Sequence, residues 1–386
     1  MKLDRIEKLQ KELVENDISC ALLMYHRDVY YYAGTARPAT LVVTPRESVL
    51  FCRRARDLTC QESRVRDIRL GGLSAIMEWI AAAGLAGEQV GVEMDLLPAN
   101  MYLRLKDLLP GFIIMDVSPL ILKQRLTKDQ EEIEYIRMAC RVAESAHNRL
   151  PEVLRPGMTE LELAAELERA ARLAGHETFA ILRKRMETEM GYALVLGGES
   201  TKTIGGYGQV VTGNGLSRAF PYGPSNRSIE REDVVVFDIA GLSNGYHSDL
   251  ARTYFLSKSP SLALEAHAAL LAVQSTILSA ARPGAVARDI YDSAVRTATE
   301  YGWQEYFQGP EEQRGTFVGH GLGLEIDEPP LLSPKDETVL RENMTFTTEL
   351  FIVHPSFGEV KLEDTVLVTE DGTELMTRIE RRVFEI

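Results

Sequence analysis

The stretch Val234-Val235-Val236-Phe237-Asp238-Ile239-Ala240-Gly241-Leu242-Ser243-Asn244-Gly245-Tyr246-His247-Ser248-Asp249-Leu250-Ala251-Arg252-Thr253-Tyr254-Phe255 decides the reading of this chain. Its first arm is β-branched and apolar, which suits a buried pleated surface. Ser243-Asn244-Gly245 is a turn signal, because Asn and Gly tolerate the left-handed backbone of a tight hairpin. Tyr246 to Phe255 then reads as the returning strand. Each arm carries one acid, Asp238 and Asp249, and their midpoint falls inside the turn. A hairpin folded there sets the two roughly opposite each other, and a bulge shifts the register by one.

The same pattern recurs downstream. Phe346 to Val353 is a strand with Glu349, His354-Pro355-Ser356-Phe357-Gly358 is the turn, and Val360 to Val368 returns with Glu363. Carboxylates buried together repel unless something compensates them, and hard cations favour oxygen ligands. Between the hairpins lies Gly319-His320-Gly321-Leu322-Gly323, whose glycines permit close backbone approach and whose imidazole completes a donor set. Four carboxylates balance two divalent cations, which suits a two-metal centre that lowers the pKa of a water. A single acid in a strand is ordinarily an edge or solvated residue, so both readings stand at this point.

Working outward, residues 1–122 alternate helix and strand. Ile6, Leu9, Leu13 and Val14 form a helical stripe, and Cys20 to Met24 reads as a buried strand. Leu41–Val43 and Val49–Phe51 are short strands around a turn at 45–47. Helices are expected over 74–83 and 99–108, with strands at 90–92 and 112–114. This is an α/β domain. Ser118-Pro119 breaks the pattern, and Thr127-Lys128-Asp129 opens a long helix over about 129–150. A weak repeat follows. Arg155-Pro156-Gly157 and Arg282-Pro283-Gly284 stand 127 residues apart, each ahead of a helix, at 159–174 and 286–301. Two such halves make one pseudo-symmetric α+β domain after a boundary near 118–128.

The chain has 386 residues and a net charge of −14, which argues against a general nucleic-acid binder. Arg53, Arg54 and Arg56 are a local exception. The four cysteines form no CxxC pair and read as reduced. The N-terminal stretch has no apolar signal core, and no run approaches 18 uninterrupted apolar residues, so a cytoplasmic protein without membrane contact is expected. Gly241-Leu242-Ser243-Asn244-Gly245 matches a serine-hydrolase pattern, but strand continues on both sides where an elbow would need a helix. Gly205-Gly206-Tyr207-Gly208 lacks the P-loop lysine and reads as a glycine-rich wall near the site.

Residues 126–386 resemble the pita-bread metallopeptidases, the family of methionine aminopeptidase, Xaa-Pro aminopeptidase, prolidase and creatinase. The segments that carry this are Asp238-Ile239-Ala240-Gly241, Gly245 to Thr253, Gly319 to Leu324, Glu349, and Leu362-Glu363-Asp364 running into Val368 to Gly372. The resemblance implies that Asp238, Asp249, His320, Glu349 and Glu363 bind two divalent metal ions. Manganese is the first expectation, with zinc, cobalt or iron as alternatives. Residues 1–122 resemble the N-terminal domain of the prolidase and creatinase branch, best at Val29 to Gly34. The resemblance therefore implies an α/β N-terminal domain followed by a pita-bread catalytic domain. The activity it implies is hydrolysis of peptide bonds next to proline by a metal-activated water, with Glu349 assisting proton transfer, in a homodimer.

Two departures stand out. The family carries a histidine seven residues after the metal histidine, where this chain has Asp327, and another before the first metal aspartate, where it reads Phe220-Pro221-Tyr222-Gly223-Pro224. Tyr222, Asp327 and His354 are therefore the candidate substrate residues, with His247 a further stand-in. Arg252 is expected to pair with a carboxylate. The alternative functions are a pita-bread enzyme acting on a non-peptide small molecule, by creatinase-like hydrolysis or a lyase reaction, and a non-catalytic binding module.

Overall fold

The computed structural model describes residues 4–85, 89–183, 193–206 and 210–386. The chain divides into two compact units, Met1–Arg125 and Leu126–Ile386. Tyr207 and Gly208, part of the expected glycine-rich wall, lie outside the described residues.

The first unit is built on β1 (Ile18–Leu23), β2 (Ala39–Val43), β3 (Ser48–Cys52), β4 (Asp67–Leu70), β5 (Gln89–Val92) and β6 (Ile113–Asp116). They form one sheet in the order β4-β3-β2-β1-β5-β6, antiparallel around β2 and parallel elsewhere. Its core joins Leu22, Val42, Phe51, Val90 and Val92 to Ile76, Trp79 and Ile80 of the helix Leu73–Ala82. The N-terminal helix Arg5–Glu15 buries Ile6, Leu9 and Leu13, whereas Val14 faces solvent. Ser118-Pro119 opens a helix, Ser118–Arg125, where the sequence suggested only a break. Proline suits a first helical turn, because its missing N–H would have no intrahelical partner there.

The second unit carries β7 (Leu194–Gly197), β8 (Val234–Ser243), β9 (Tyr246–Phe255), β10 (Gly319–Gly321), β11 (Glu328–Leu331), β12 (Thr345–His354), β13 (Gly358–Val368), β14 (Thr373–Leu375) and β15 (Phe384–Glu385). The main path of its sheet is β11-β10-β12-β13-β9-β8-β7. One face packs on the helices Gln130–Val153 and Ser261–Ala280. Val235, Phe237, Ile239, Leu250 and Tyr254 meet the first, and Leu350, Ile352, Val360 and Leu362 meet the second. The long helix starts at a capping box in which Asp129 and Glu132 satisfy each other's backbone N–H.

The repeat is visible in the backbone. The helices Glu160–Leu173 and Ala287–Glu300 are displaced by 127 residues at both ends. Gly157 and Gly284 both take a positive φ ahead of them, at 87° and 92°. The helix Ser261–Ala280 is long and apolar enough to cross a membrane by length and composition alone, although Glu265, His267 and Gln274 interrupt its apolar run. It is a core helix here, with Ala263, Ala266, Leu270, Val273 and Ile277 buried against the sheet.

Candidate metal centre

The site is a matter of strand register. β8 and β9 pair Ser243 with Tyr246, so Asn244 and Gly245 alone make the turn, with φ of 51° and 78°. Asp238 therefore faces Ala251, and Asp249 faces Ala240. The two aspartates are diagonal neighbours rather than opposite, because the hairpin folds one residue later than the acids' midpoint. The displacement is two residues, so both stay on one face. In the second hairpin Glu349 and Glu363 are directly opposite.

β13 pairs with β9 through Glu363 and Ala251. Asp238, Ala251, Glu363 and Glu349 thus form one rung across four strands. Thr365 Oγ1 accepts the Asp249 N–H at 2.9 Å and donates to the Asp249 carbonyl at 2.9 Å, which extends the pairing. Thr365 faces Thr347, and Thr347 faces His320 on β10. The second rung is Ala240, Asp249, Thr365, Thr347 and His320. All five candidate donors project from the face opposite the helices.

These side chains are all buried. Donor atoms of Asp249, His320 and Glu363 lie within 4.8 Å of one another. His320 Nε2 is 3.6 Å from Asp249 Oδ2 and 3.4 Å from Glu349 Oε2. Its Nδ1 is 3.1 Å from the Gly321 carbonyl; as a donor there it leaves Nε2 turned to the acids, the orientation of a metal-ligating imidazole. A Cβ on Gly319 would stand 2.1 Å from the Thr347 carbonyl, and one on Gly321 2.2 Å from that of Pro329. The bare backbone of these two residues is what lets β10 lie this close to its neighbours.

The cluster gathers positive charge. Burial, then the Asp238 charge, pushes the Asp249 carboxyl well above the usual carboxylate range. Burial, then the Asp249 charge, does the same to Glu363. Burial alone would depress the His320 imidazole, but Glu349 and the neighbouring acids outweigh it and hold it at about 9. Among the described residues, Glu363 Oε2 is buried with no hydrogen-bond partner, the Lys361 ammonium standing 3.5 Å away. Four acids, one of them with an oxygen left without a hydrogen bond among the described residues, and one imidazole fit a divalent cation.

Sequence reasoning missed Lys361. It stands two residues before Glu363 on the same face of β13, and its Nζ is 2.6 Å from Asp238 Oδ2, 3.5 Å from Glu363 Oε2 and 3.6 Å from Glu349 Oε1. Counting alternate residues back from Glu363 would have found it.

Of the candidate substrate residues, Tyr222 is buried and close enough for Asp238 and Glu349 to act on its phenol, which burial first pushes well above its ordinary range. It packs with Leu194, Leu196, Val211, Phe351 and Val353 in an apolar wall beside the acids. Asp327 is half-buried and acts on the His320 charge. His354 is not brought to the site. Its even position on β12 turns it to the opposite face from Glu349, where it meets Tyr306, Phe357 and Ser356. His247 is engaged at both ring nitrogens, Nε2 by the Ile181 N–H and Nδ1 by the Gly323 carbonyl. Arg252 pairs with Asp364 Oδ1 at 2.6 Å on the helix face and points away from the donors.

The comparisons with known proteins agree with this geometry. Metallopeptidase family M24 matches residues 134–370, and the Creatinase/Prolidase N-terminal domain matches residues 5–127. The chain is 30% identical to the Xaa-Pro dipeptidase of Pyrococcus furiosus, over 98% of this chain and 99% of that one. The crystal structure of the prolidase from Pyrococcus horikoshii OT3 superposes with a TM-score of 0.81 at 28% identity, covering 98% of this chain and 99% of the other. The Xaa-Pro dipeptidase from Bacillus anthracis does so with a TM-score of 0.84 at 25% identity, covering 99% of each. The pita-bread sheet, its two acid-bearing hairpins and a match across both units make this chain a member of metallopeptidase family M24.

Proposed function

We propose that this chain is a metal-dependent Xaa-Pro dipeptidase of the prolidase type, a hydrolase cleaving small peptides next to proline. The observation that carries the reading is the placing of Asp238, Asp249, His320, Glu349 and Glu363 on one sheet face in two adjacent rungs. These five would hold two divalent cations, manganese first, with zinc, cobalt or iron as alternatives. Such cations polarise a scissile carbonyl and make a water nucleophilic at neutral pH.

The chain's own residues do the rest. Burial opposes ionisation of Glu349, but Lys361 and His320 outweigh it and hold its carboxyl low, so it stands ionised as the proton acceptor for the attacking water. Tyr222, in the apolar wall, is the side chain proposed to hydrogen-bond the substrate, and that wall suits the ring of proline. Asp327, whose charge acts on His320, is the proposed contact for a substrate amine. The donor set also supports an active enzyme over a non-catalytic module. Residues 1–122 are read as the creatinase-type N-terminal domain and 126–386 as the catalytic domain of a homodimer. The four free cysteines support a reducing, cytoplasmic setting.

The test is metal content of the purified protein together with hydrolysis of Gly-Pro and Xaa-Pro-Xaa peptides with added manganese. Stoichiometric metal and proline-specific cleavage are expected, both lost in Asp249→Ala. Metal without cleavage of any proline peptide would move the reading to a non-peptide substrate. No metal under any condition would refute it.

A further inference from the structure

Lys361 and Glu359 are two residues apart on β13, so both side chains leave the strand on the face that carries Glu363. The Lys361 ammonium lies on Asp238, within 3.6 Å of Glu349 and Glu363 as well. Glu359 is 2% exposed, its Oε2 is buried, and among the described residues that oxygen has no hydrogen-bond partner. The ammonium acts on it electrostatically without pairing with it. Burial pushes the Glu359 carboxyl up to about 8, and ionising it there is costly unless a cation reaches it at some stage of the protein's working cycle.

The two cation positions are therefore unequal. Asp249, His320 and Glu363 converge, and among the described residues the Lys361 ammonium comes no nearer to them than 3.5 Å, at Glu363 Oε2. Asp238 Oδ2 is held by the ammonium, whose positive charge opposes a dication brought to the same carboxylate. We propose that Lys361 competes with the second divalent cation for Asp238, and that Glu359 is the seat its ammonium takes when that cation binds. The lysine stem spans the about 7 Å between alternate residues of a strand. Formal charge closes in that arrangement. Asp238, Asp249, Glu349, Glu363 and Glu359 supply five negative charges, and two dications with one ammonium supply five positive. Lys361 thus sets the affinity of the second ion, and Glu359 offsets the cost of moving it.

This rests on the metal-centre reading above, and the test separates the two. Manganese chloride is titrated calorimetrically into wild type, Lys361→Met, Glu359→Gln and the double variant, with metal content measured after gel filtration. A tight first ion and a weaker second one are expected in wild type. Lys361→Met tightens the second by about tenfold or more, since a buried positive charge leaves its site. Glu359→Gln weakens the second by about tenfold and leaves the first within about threefold. In the Lys361→Met background the Glu359 change has no effect, because no ammonium needs the seat. A second ion bound equally well with and without Lys361 overturns the proposal, as does a Glu359 effect that persists without the lysine. Should Lys361→Met fail to fold, an unmoved second ion in Glu359→Gln overturns it alone. Failure of wild type to bind any manganese would instead remove the metal-centre reading itself.

Discussion

Arg252→Met tests what holds the donor strands in register. The Arg252 side chain is fully buried on the helix face of the sheet. Its guanidinium donates to Asp364 Oδ1 at 2.6 Å and to the carbonyls of Glu363, Ala251, Ile379 and Glu380 at 2.6 to 3.0 Å. Methionine fills much of the stem volume but leaves four carbonyls without this donor and Asp364 without its cation. Breaking a buried pair from one side costs about 3–5 kcal/mol. Asp364 keeps Gln274 Nε2 at 2.8 Å and Thr377 Oγ1 at 2.6 Å, which places the loss toward the lower half, about 3–4 kcal/mol. The assay is urea unfolding followed by Trp303 fluorescence in a Trp79→Phe background, so that the only remaining tryptophan belongs to the second unit. The transition should move with an unchanged slope. Adding Asp364→Asn should recover about 1–2 kcal/mol by removing the unpaired charge. A loss below about 1 kcal/mol in Arg252→Met would refute the claim that this cluster clamps β9 to β13.

Gly319→Ala should lower metal affinity and stability together, because its Cβ meets the Thr347 carbonyl at 2.1 Å and must push β10 off β12; a variant with wild-type manganese affinity would contradict this. Manganese at about 100 times its Kd should stabilise wild type by about 2.7 kcal/mol in a urea titration and leave Asp249→Asn nearly unmoved; equal stabilisation of both would place the ion elsewhere. Burial holds the His147 imidazole at about 3 and His267 at about 4, below the ordinary 6.5, so both are neutral when folded and take up protons on unfolding. Their contribution is complete above pH 6.5 and is lost as pH falls, about 4 kcal/mol together by pH 5. Urea midpoints between pH 8 and 5 should show this slope roughly halved in His147→Gln, and a slope unchanged by that substitution would exclude His147 as its source.

Much of this site was legible in the sequence because strands keep a period of two. An acid in each arm of a hairpin, with the turn between, is enough to put both on one face when their separation is even across the turn's pairing. That worked for Glu349 and Glu363, and it survived a misplaced turn centre for Asp238 and Asp249. The same parity rule should have excluded His354, which sits an odd number of residues from Glu349 and so faces the helices. Proximity along the chain was a poor substitute for it. Lys361 and Glu359 went unread for the converse reason. They share the face of Glu363, but a lysine near acids in a strand looks like an ordinary surface residue until burial is known. β10 was not anticipated as a strand, because one histidine between two glycines carries almost no strand signal; only pairing with β12 makes it one.

The diagonal placing of the aspartates has a mechanical consequence. Had the first hairpin folded on the midpoint of its acids, four carboxylates would share one rung, and His320 would stand alone in the next. Folding one residue later moves Asp249 along its strand into the rung of His320, leaving Asp238, Glu363 and Glu349 in the other. The donors then occupy two neighbouring rungs on one sheet face, and Glu363 reaches across to Asp249 and His320, its donor atom within 4.8 Å of theirs. A one-residue slip of β9 on β8 would carry Asp249 to the helix face, among Phe237, Ile239 and Leu250, where an unpaired carboxylate is costly. The apolar face of the hairpin therefore enforces the register of its acidic face. The two-residue Asn244-Gly245 turn is what the register depends on locally. Inserting one glycine between Asn244 and Gly245 should cost metal binding far more than stability, because a longer loop is tolerated by the helix packing while the choice between pairings is weakened. An insertion variant that keeps full manganese stoichiometry would show that the core alone sets the pairing.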